Sequence, residues 1–229
     1  MVRTKPSELS GLATEEGEVR GSFVGFYWTL PVNWAGFRDL PPGIEAAALA
    51  SRTIRYQRER VRRHLRDNGG QLVDEIAFMD VRPDRATETV RDVLQRKASG
   101  HAHAGVTLVT VAFEQAAHWR PNHFLEDAAQ TLGLVLLRLP PDPVTIDNKV
   151  FDPARHFSAW RRQDESAMTR LKMTAREAIS VAMADVSNGA GGWRQIADRL
   201  NDGGVKTIRG HAWTAENARK LAGRMAAIE

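Results

Sequence analysis

Hydrophobic and polar positions alternate along this chain in two rhythms, one of strands and one of helices. Residues 22–32, "SFVGFYWTLPV", are rich in aromatic and β-branched types and close at Pro31, which predicts a strand. "NWAGFRDLPPG" follows as a loop. Residues 44–67 carry Ala, Leu, Arg and Glu without Gly or Pro, which predicts one helix ended by "DNGG". Residues 71–80, "QLVDEIAFMD", alternate as a second strand. Residues 83–97 predict a helix, with Asp84 as its cap and Ala86, Val90, Val93 and Leu94 as its apolar stripe. After "SGHAHAG", residues 106–113 are almost continuously apolar, the mark of a strand covered on both faces. A short helix over 124–131 and a fourth strand, "LGLVLLRL", complete the series.

Strand and helix in strict alternation predict an α/β domain over 21–140, a mainly parallel sheet flanked by helices, behind a polar, flexible arm over 1–20. Residues 141–153 belong to a proline-rich stretch and read as a linker or an ordered excursion. From 154 to 186 a long connecting helix is expected. Phe157, Trp160, Met168, Leu171, Ala175, Ile179 and Ala182 keep a three-to-four spacing, and Lys172–Thr174 is a candidate break. A helix this long outside the sheet needs a surface to pack on. A partner chain, making this a dimerisation helix, is one solution; the sheet domain itself is another.

Composition narrows the picture little. At 229 residues, 42% hydrophobic and 26% charged, the chain can build a core. It has no cysteine, so disulfides, thiolate zinc sites and cysteine nucleophiles are excluded, and a reducing cytoplasm suits it. No signal peptide opens it, and its best apolar run is too short to span a bilayer. The net charge of +4 is mild, but its distribution is uneven. Seven arginines face a single acid, Glu59, between residues 51 and 66. Arg55, Arg58, Arg62, Arg63 and Arg66 therefore form a candidate basic patch for a phosphate backbone, or else a solvated helix face. No Gly-rich phosphate loop is present. His101, His103, His118 and His123 fall in loops without a metallohydrolase pattern of carboxylates, so neither metal nor cofactor is expected. Phe23, Phe26, Tyr27 and Trp28 read as packing in the first strand.

Residues 187–229 raise the sharper hypothesis. Trp193, Ile196, Ala197 and Leu200 share one face of a helix that stops at "NDGG". Thr214 is a good N-cap for a second helix, with Asn217 at its third position and Ala218, Leu221, Ala222 and Met225 facing inward. Two short helices around a basic connector predict a small helix-turn-helix-like module, though such pairs also serve as dimerisation or lid elements. If the second helix enters a major groove, Thr214, Ala215 and Asn217 lie near base edges. Lys206, Arg209, His211, Arg219 and Lys220 lie near phosphates, and Arg194, Thr207 and Gly210 complete the candidate set.

The stretch "WRQIADRLNDGGVKTIRGHAWTAENARKL" resembles the DNA-binding "recombinase" module of serine site-specific recombinases. Ile196, Ala197, Leu200, Asn201, Gly204, Val205, Thr207, Gly210, Trp213 and Thr214 match its pattern. The upstream order of elements is similar to that family's resolvase-like catalytic domain. The resemblance implies double-stranded DNA as partner, a homodimer or a recombinase-family partner, and a place at the nucleoid.

The family's chemistry is missing from its expected positions. It needs a Tyr-x-Arg-x-Ser pattern after the first strand, where this chain has Phe26, Trp28 and Leu30. The Asp-Arg-Leu-x-Arg cluster after the third strand appears as "EQAAH". Only Arg85 has a counterpart. Leucine has no nucleophilic atom, and tryptophan cannot fork a phosphate as a guanidinium does. The resemblance with these losses implies a DNA-binding regulator or architectural factor of recombination, phage or mobile-element biology. An active recombinase using Thr29 and a protein-interaction scaffold are the alternatives.

Overall fold

The computed structural model describes residues 21–80, 87–187, 192–208 and 210–226. Asp84, Arg85, Ala86 and Arg209, named above, lie outside them. The chain divides into two compact units, residues 1–154 and 155–229.

In the first unit, four strands form one sheet in the order β2-β1-β3-β4, every pairing parallel. These are β1 (Ser22–Thr29), β2 (Gln71–Met79), β3 (Thr107–Val111) and β4 (Val135–Leu139). The expected α/β architecture is therefore present. Helices α1 (Ile44–Ala50) and α2 (Arg52–Asp67) connect β1 to β2; α3 (Thr89–Ala98) connects β2 to β3. Between β3 and β4 lie α4 (Phe113–Ala117) and α5 (His123–Thr131).

Alternation along β1 divides its side chains between the two faces. Val24 and Phe26 join Ile76, Phe78 and Leu108 under Val90, Val93 and Leu94 of α3 and Leu125, Ala128 and Ala129 of α5, forming the main core. Tyr27 points the other way and donates to Glu75, which also binds α2. The aromatic run of β1 is accordingly packing at Phe23, Phe26 and Tyr27, all fully buried.

Two expectations need correction. The helix over 44–67 is two helices, because Ser51 adopts an extended backbone between them. Its N–H closes α1 on the Ala47 carbonyl, and its hydroxyl caps α2 by accepting from Ile54 N. No glycine or proline marks the break; a serine able to serve both ends does. The stretch over 141–153 is ordered. Strands β5 (Val144–Ile146) and β6 (Lys149–Phe151) form an antiparallel hairpin, turned by Asp147 and Asn148 in left-handed conformations. The hairpin lies on α2: Phe151 stacks on Tyr56 at 4.7 Å between ring centres, and the Tyr56 hydroxyl donates to the Asp142 carbonyl at 2.7 Å.

In the second unit, helix α6 spans Pro153–Ser187 without the break considered at Lys172–Thr174. Helices α7 (Trp193–Asp202) and α8 (Ala215–Ala226) follow. Ala175, Ile179 and Ala182 of α6 bury against Ile196, Ala197 and Leu200 of α7, Trp213, and Ala218 and Ala222 of α8. The second half of the long helix thus supplies the third wall that the two short helices lack. Among the described residues no helix is long and apolar enough to cross a membrane.

Candidate nucleic-acid interface

Every one of the ten positions that carry the resemblance has a structural task. Ile196, Ala197, Leu200 and Trp213 are core residues of the three-helix cluster, with Val205 packed at its margin. Gly204, at φ +70°, and Gly210, at φ +80°, turn the connector through left-handed conformations that side chains rarely adopt. Asn201 brackets the end of the connector: its amide donates to the Trp213 carbonyl at 3.0 Å and its oxygen accepts from Trp213 N at 2.7 Å. Thr207 closes an inner turn, accepting from His211 N at 3.0 Å through its hydroxyl. Thr214 caps α8 by accepting from Asn217 N at 3.2 Å.

These bonds orient two of the candidate contacts. The hydroxyls of Thr207 and Thr214 accept from main-chain N–H groups, which fixes their place and leaves each O–H a donor. What remains exposed is Arg194 on α7, Lys206, Gly210 and His211 in the connector, and Asn217, Arg219 and Lys220 on α8, with Ala215 half-buried. Arg224, not among the candidates, shares the exposed face of α8. Glu216 interrupts the positive charge: its carboxylate lies 3.1 Å from Arg219 and 3.0 Å from Lys220. Hydrogen bonds from Lys220 and then Arg219 hold that carboxyl below its ordinary range.

The arginine helix is a different case, since Arg55, Arg58, Arg60 and Arg62 meet carboxylates from other elements while Arg63 and Arg66 stay at its exposed side. Arg58 donates through Nε to Glu75 at 3.0 Å, with Arg62 on the same carboxylate at 2.6 Å. Arg58 also reaches Glu45, Arg55 pairs with Asp147, Arg60 with Asp142 at 2.8 Å, and Arg63 with Glu59 at 3.5 Å. Arg66 lies 3.9 Å from Asp67 at the exposed end of α2. Burial alone would raise the Glu75 carboxyl, but hydrogen bonds from Arg58, Arg62 and Tyr27 outweigh it and hold it low. Burial, with Glu75 beside it, pushes the Tyr27 hydroxyl far above its usual range, so it remains a donor.

At the C-terminal ends of the strands, the residues that align with the recombinase nucleophile are closed off. Leu30 is 7% exposed. Thr29, the substitute considered above, is 5% exposed and its Oγ1 accepts from Ser51 at 3.1 Å. "EQAAH" lies in α4 and its cap, where Glu114 pairs with Arg138 at 2.7 Å. No family model, curated protein or solved structure matches this chain.

The histidines are scattered. His101 lies 3.1 Å from Asp74, His123 against Phe124, and His103 and His118 hold left-handed turns. Among the described residues no group of three His, Asp or Glu is placed to hold a metal.

A crevice does open at these strand ends. It is lined by Phe26 and Trp28 of β1, Phe78, Asp80, Thr110 and Val111, then Glu114, Trp119, Arg120, Asn122 and Arg138. Sequence reasoning missed it. The available signals were an arginine inside an apolar strand, "LVLLRLP", and the rule that parallel sheets bind ligands at their carboxyl ends.

Proposed function

We propose that this protein binds double-stranded DNA through its C-terminal three-helix cluster, as a helix-turn-helix-like module on a recombinase-derived scaffold, and does not cut it. One observation carries the reading. Helix α8 buries its apolar face against α6 and α7 and leaves a face made of Asn217, Arg219, Lys220 and Arg224, beside the exposed connector residues Lys206 and His211. Among the described residues of 192–226 no large hydrophobic side chain is exposed. Protein interfaces centre on apolar and aromatic anchors, whereas phosphates and base edges take cations and amides. That contrast favours DNA over a protein-docking role. The buried Leu30 and the engaged Thr29 disfavour strand cleavage.

The resemblance extends the reading to a resolvase-like first unit and to a dimer. Leu171, Met173 and Val181 are exposed on α6 and supply apolar surface for a second copy. Such a protein acts at the nucleoid as a regulator or architectural partner of recombination.

Selection of bound fragments from random and genomic DNA at two salt concentrations tests this. An enriched inverted repeat is expected, with affinity falling steeply as salt rises. Binding without an enriched site turns the reading from regulator to architectural factor. Absence of binding at both salts overturns it in favour of a protein scaffold. Nicked plasmid with a covalent protein adduct overturns the non-cutting half.

A further inference from the structure

The strand-end crevice plays no part in the DNA reading, and its chemistry suits a different ligand. From β1 the chain runs to β2 on one side of the sheet, and from β3 it runs to β4 on the other. The gap between β1 and β3 is therefore the point where connections diverge and where open parallel sheets take their ligands. Counted out to its solvent-open mouth, the crevice is about 590 Å³.

Its walls and polar atoms narrow the choice. Trp28 and Trp119 stand 5.9 Å apart between ring centres at 49°, offering flat apolar surface for a ring. Two polar atoms of the lining are sealed from solvent and have no hydrogen-bond partner, Thr110 Oγ1 and Arg138 Nη2. Arg138 Nη2 lies 2.8 Å from Glu126 but out of line for a hydrogen bond. A buried hydroxyl without a partner destabilises the fold, and valine of the same shape would avoid it. Thr110 and Arg138 are register partners on β3 and β4, so a ligand carbonyl oxygen that displaced the atoms covering them would accept from both.

Charge excludes the obvious anion. Arg138 already faces Glu114 at 2.7 Å, and Asp80 adds a further carboxylate to the lining. A bound carboxylate would meet these acids with only Arg120, exposed at the mouth, to balance it. A cation offers no acceptor to Arg138 Nη2 and leaves it unsatisfied. An uncharged ring with adjacent N–H and C=O groups fits both signs, the C=O toward Arg138 and Thr110 and the N–H toward Asp80 or Glu114. We infer that this crevice binds one planar ring with a lactam edge, the chemistry of a pyrimidine base. A free nucleoside and an unpaired base within a strand both present it.

Calorimetric titration of the full-length protein with uracil, and with benzoate as an anion of similar size, tests the inference. Saturable uracil binding is expected, with benzoate weaker by about tenfold or more. Thr110→Val should weaken uracil by about tenfold while the thermal midpoint holds or rises, and Thr110→Ser should restore binding. Uracil heat that does not saturate, benzoate that binds as well as uracil, or a Thr110→Val protein that binds like wild type each overturns the inference. Competition against bound uracil separates the sources. Displacement by uridine supports the free nucleoside, and displacement only by oligothymidylate supports the unpaired base. The Arg219→Ala/Lys220→Ala protein should keep its uracil response, so this inference and the DNA reading fail separately.

Discussion

Helices α2 and α8 are both arginine-bearing and amphipathic, yet they use their cations in opposite ways. On α2 Arg55, Arg58, Arg60 and Arg62 face carboxylates from other parts of the fold: Glu75 from β2, Asp142 and Asp147 from the hairpin and the turn before it. Arg63 and Arg66 pair with the exposed Glu59 and Asp67 of their own helix. Arg58 is 16% exposed and Glu75 only 10%, so this pair belongs to the interior and holds elements together. On α8 Arg219 and Lys220 pair with Glu216, three and four residues away, and all three are largely exposed. A surface pair of that kind is worth little and exchanges readily for another anion. Density of positive charge in a sequence therefore does not mark a binding face. What matters is whether the fold delivers acids to it.

Breaking the α2 side of this comparison has the largest expected effect. Glu75→Gln leaves Arg58 and Arg62 without their shared carboxylate and should cost about 3 kcal/mol of stability by denaturant unfolding, with DNA retention by the folded protein unchanged. Acid repeats the test without a mutation. Because the Glu75 carboxyl is held low in the fold, its contribution is fully present above about pH 4.3, the ordinary unfolded value, and is lost as pH falls through the folded one. Next comes the scaffold of the α8 side. Asn201→Ala removes both bonds to Trp213 and should destabilise the C-terminal cluster by about 2 kcal/mol, seen as early loss of protection in its amides while the sheet keeps its own. A smaller effect is expected from the exposed cations. Arg219→Ala with Lys220→Ala should weaken DNA retention about tenfold and reduce the salt slope by about 2, whereas Arg55→Ala with Arg60→Ala, at cations already held by Asp147 and Asp142, leaves both unchanged in the folded protein. The smallest effect runs the other way: Glu216→Gln should tighten non-specific retention about threefold, by removing the acid that competes with phosphate.

The parallel sheet was legible because four apolar runs separated by helical stripes leave few other arrangements. So was the inward face of α8, where Ala218 and Ala222 keep helical spacing behind a threonine cap. The hairpin was not, since three-residue strands carry almost no periodicity and only "DN" marked the turn. Nor was the division at Ser51, where a single hydroxyl does what glycine or proline ordinarily signals. The ion pairs of α2 could not be read at all: Arg55 and Asp147 are 92 positions apart, and nothing local announces their meeting. The crevice was hidden for the same reason, its lining being drawn from all four strands of the sheet and the loops after them.

The bracket between Asn201 and Trp213 has a consequence for how such a protein changes over generations. It cinches both ends of a surface loop into a closed hoop, so the direction in which α8 leaves the cluster is set by two main-chain contacts and not by what the loop displays. Lys206, His211 and Ala212 can then be exchanged one at a time without moving the helix beyond them. A lineage carrying this hoop can rewrite its outward chemistry in small, foldable steps.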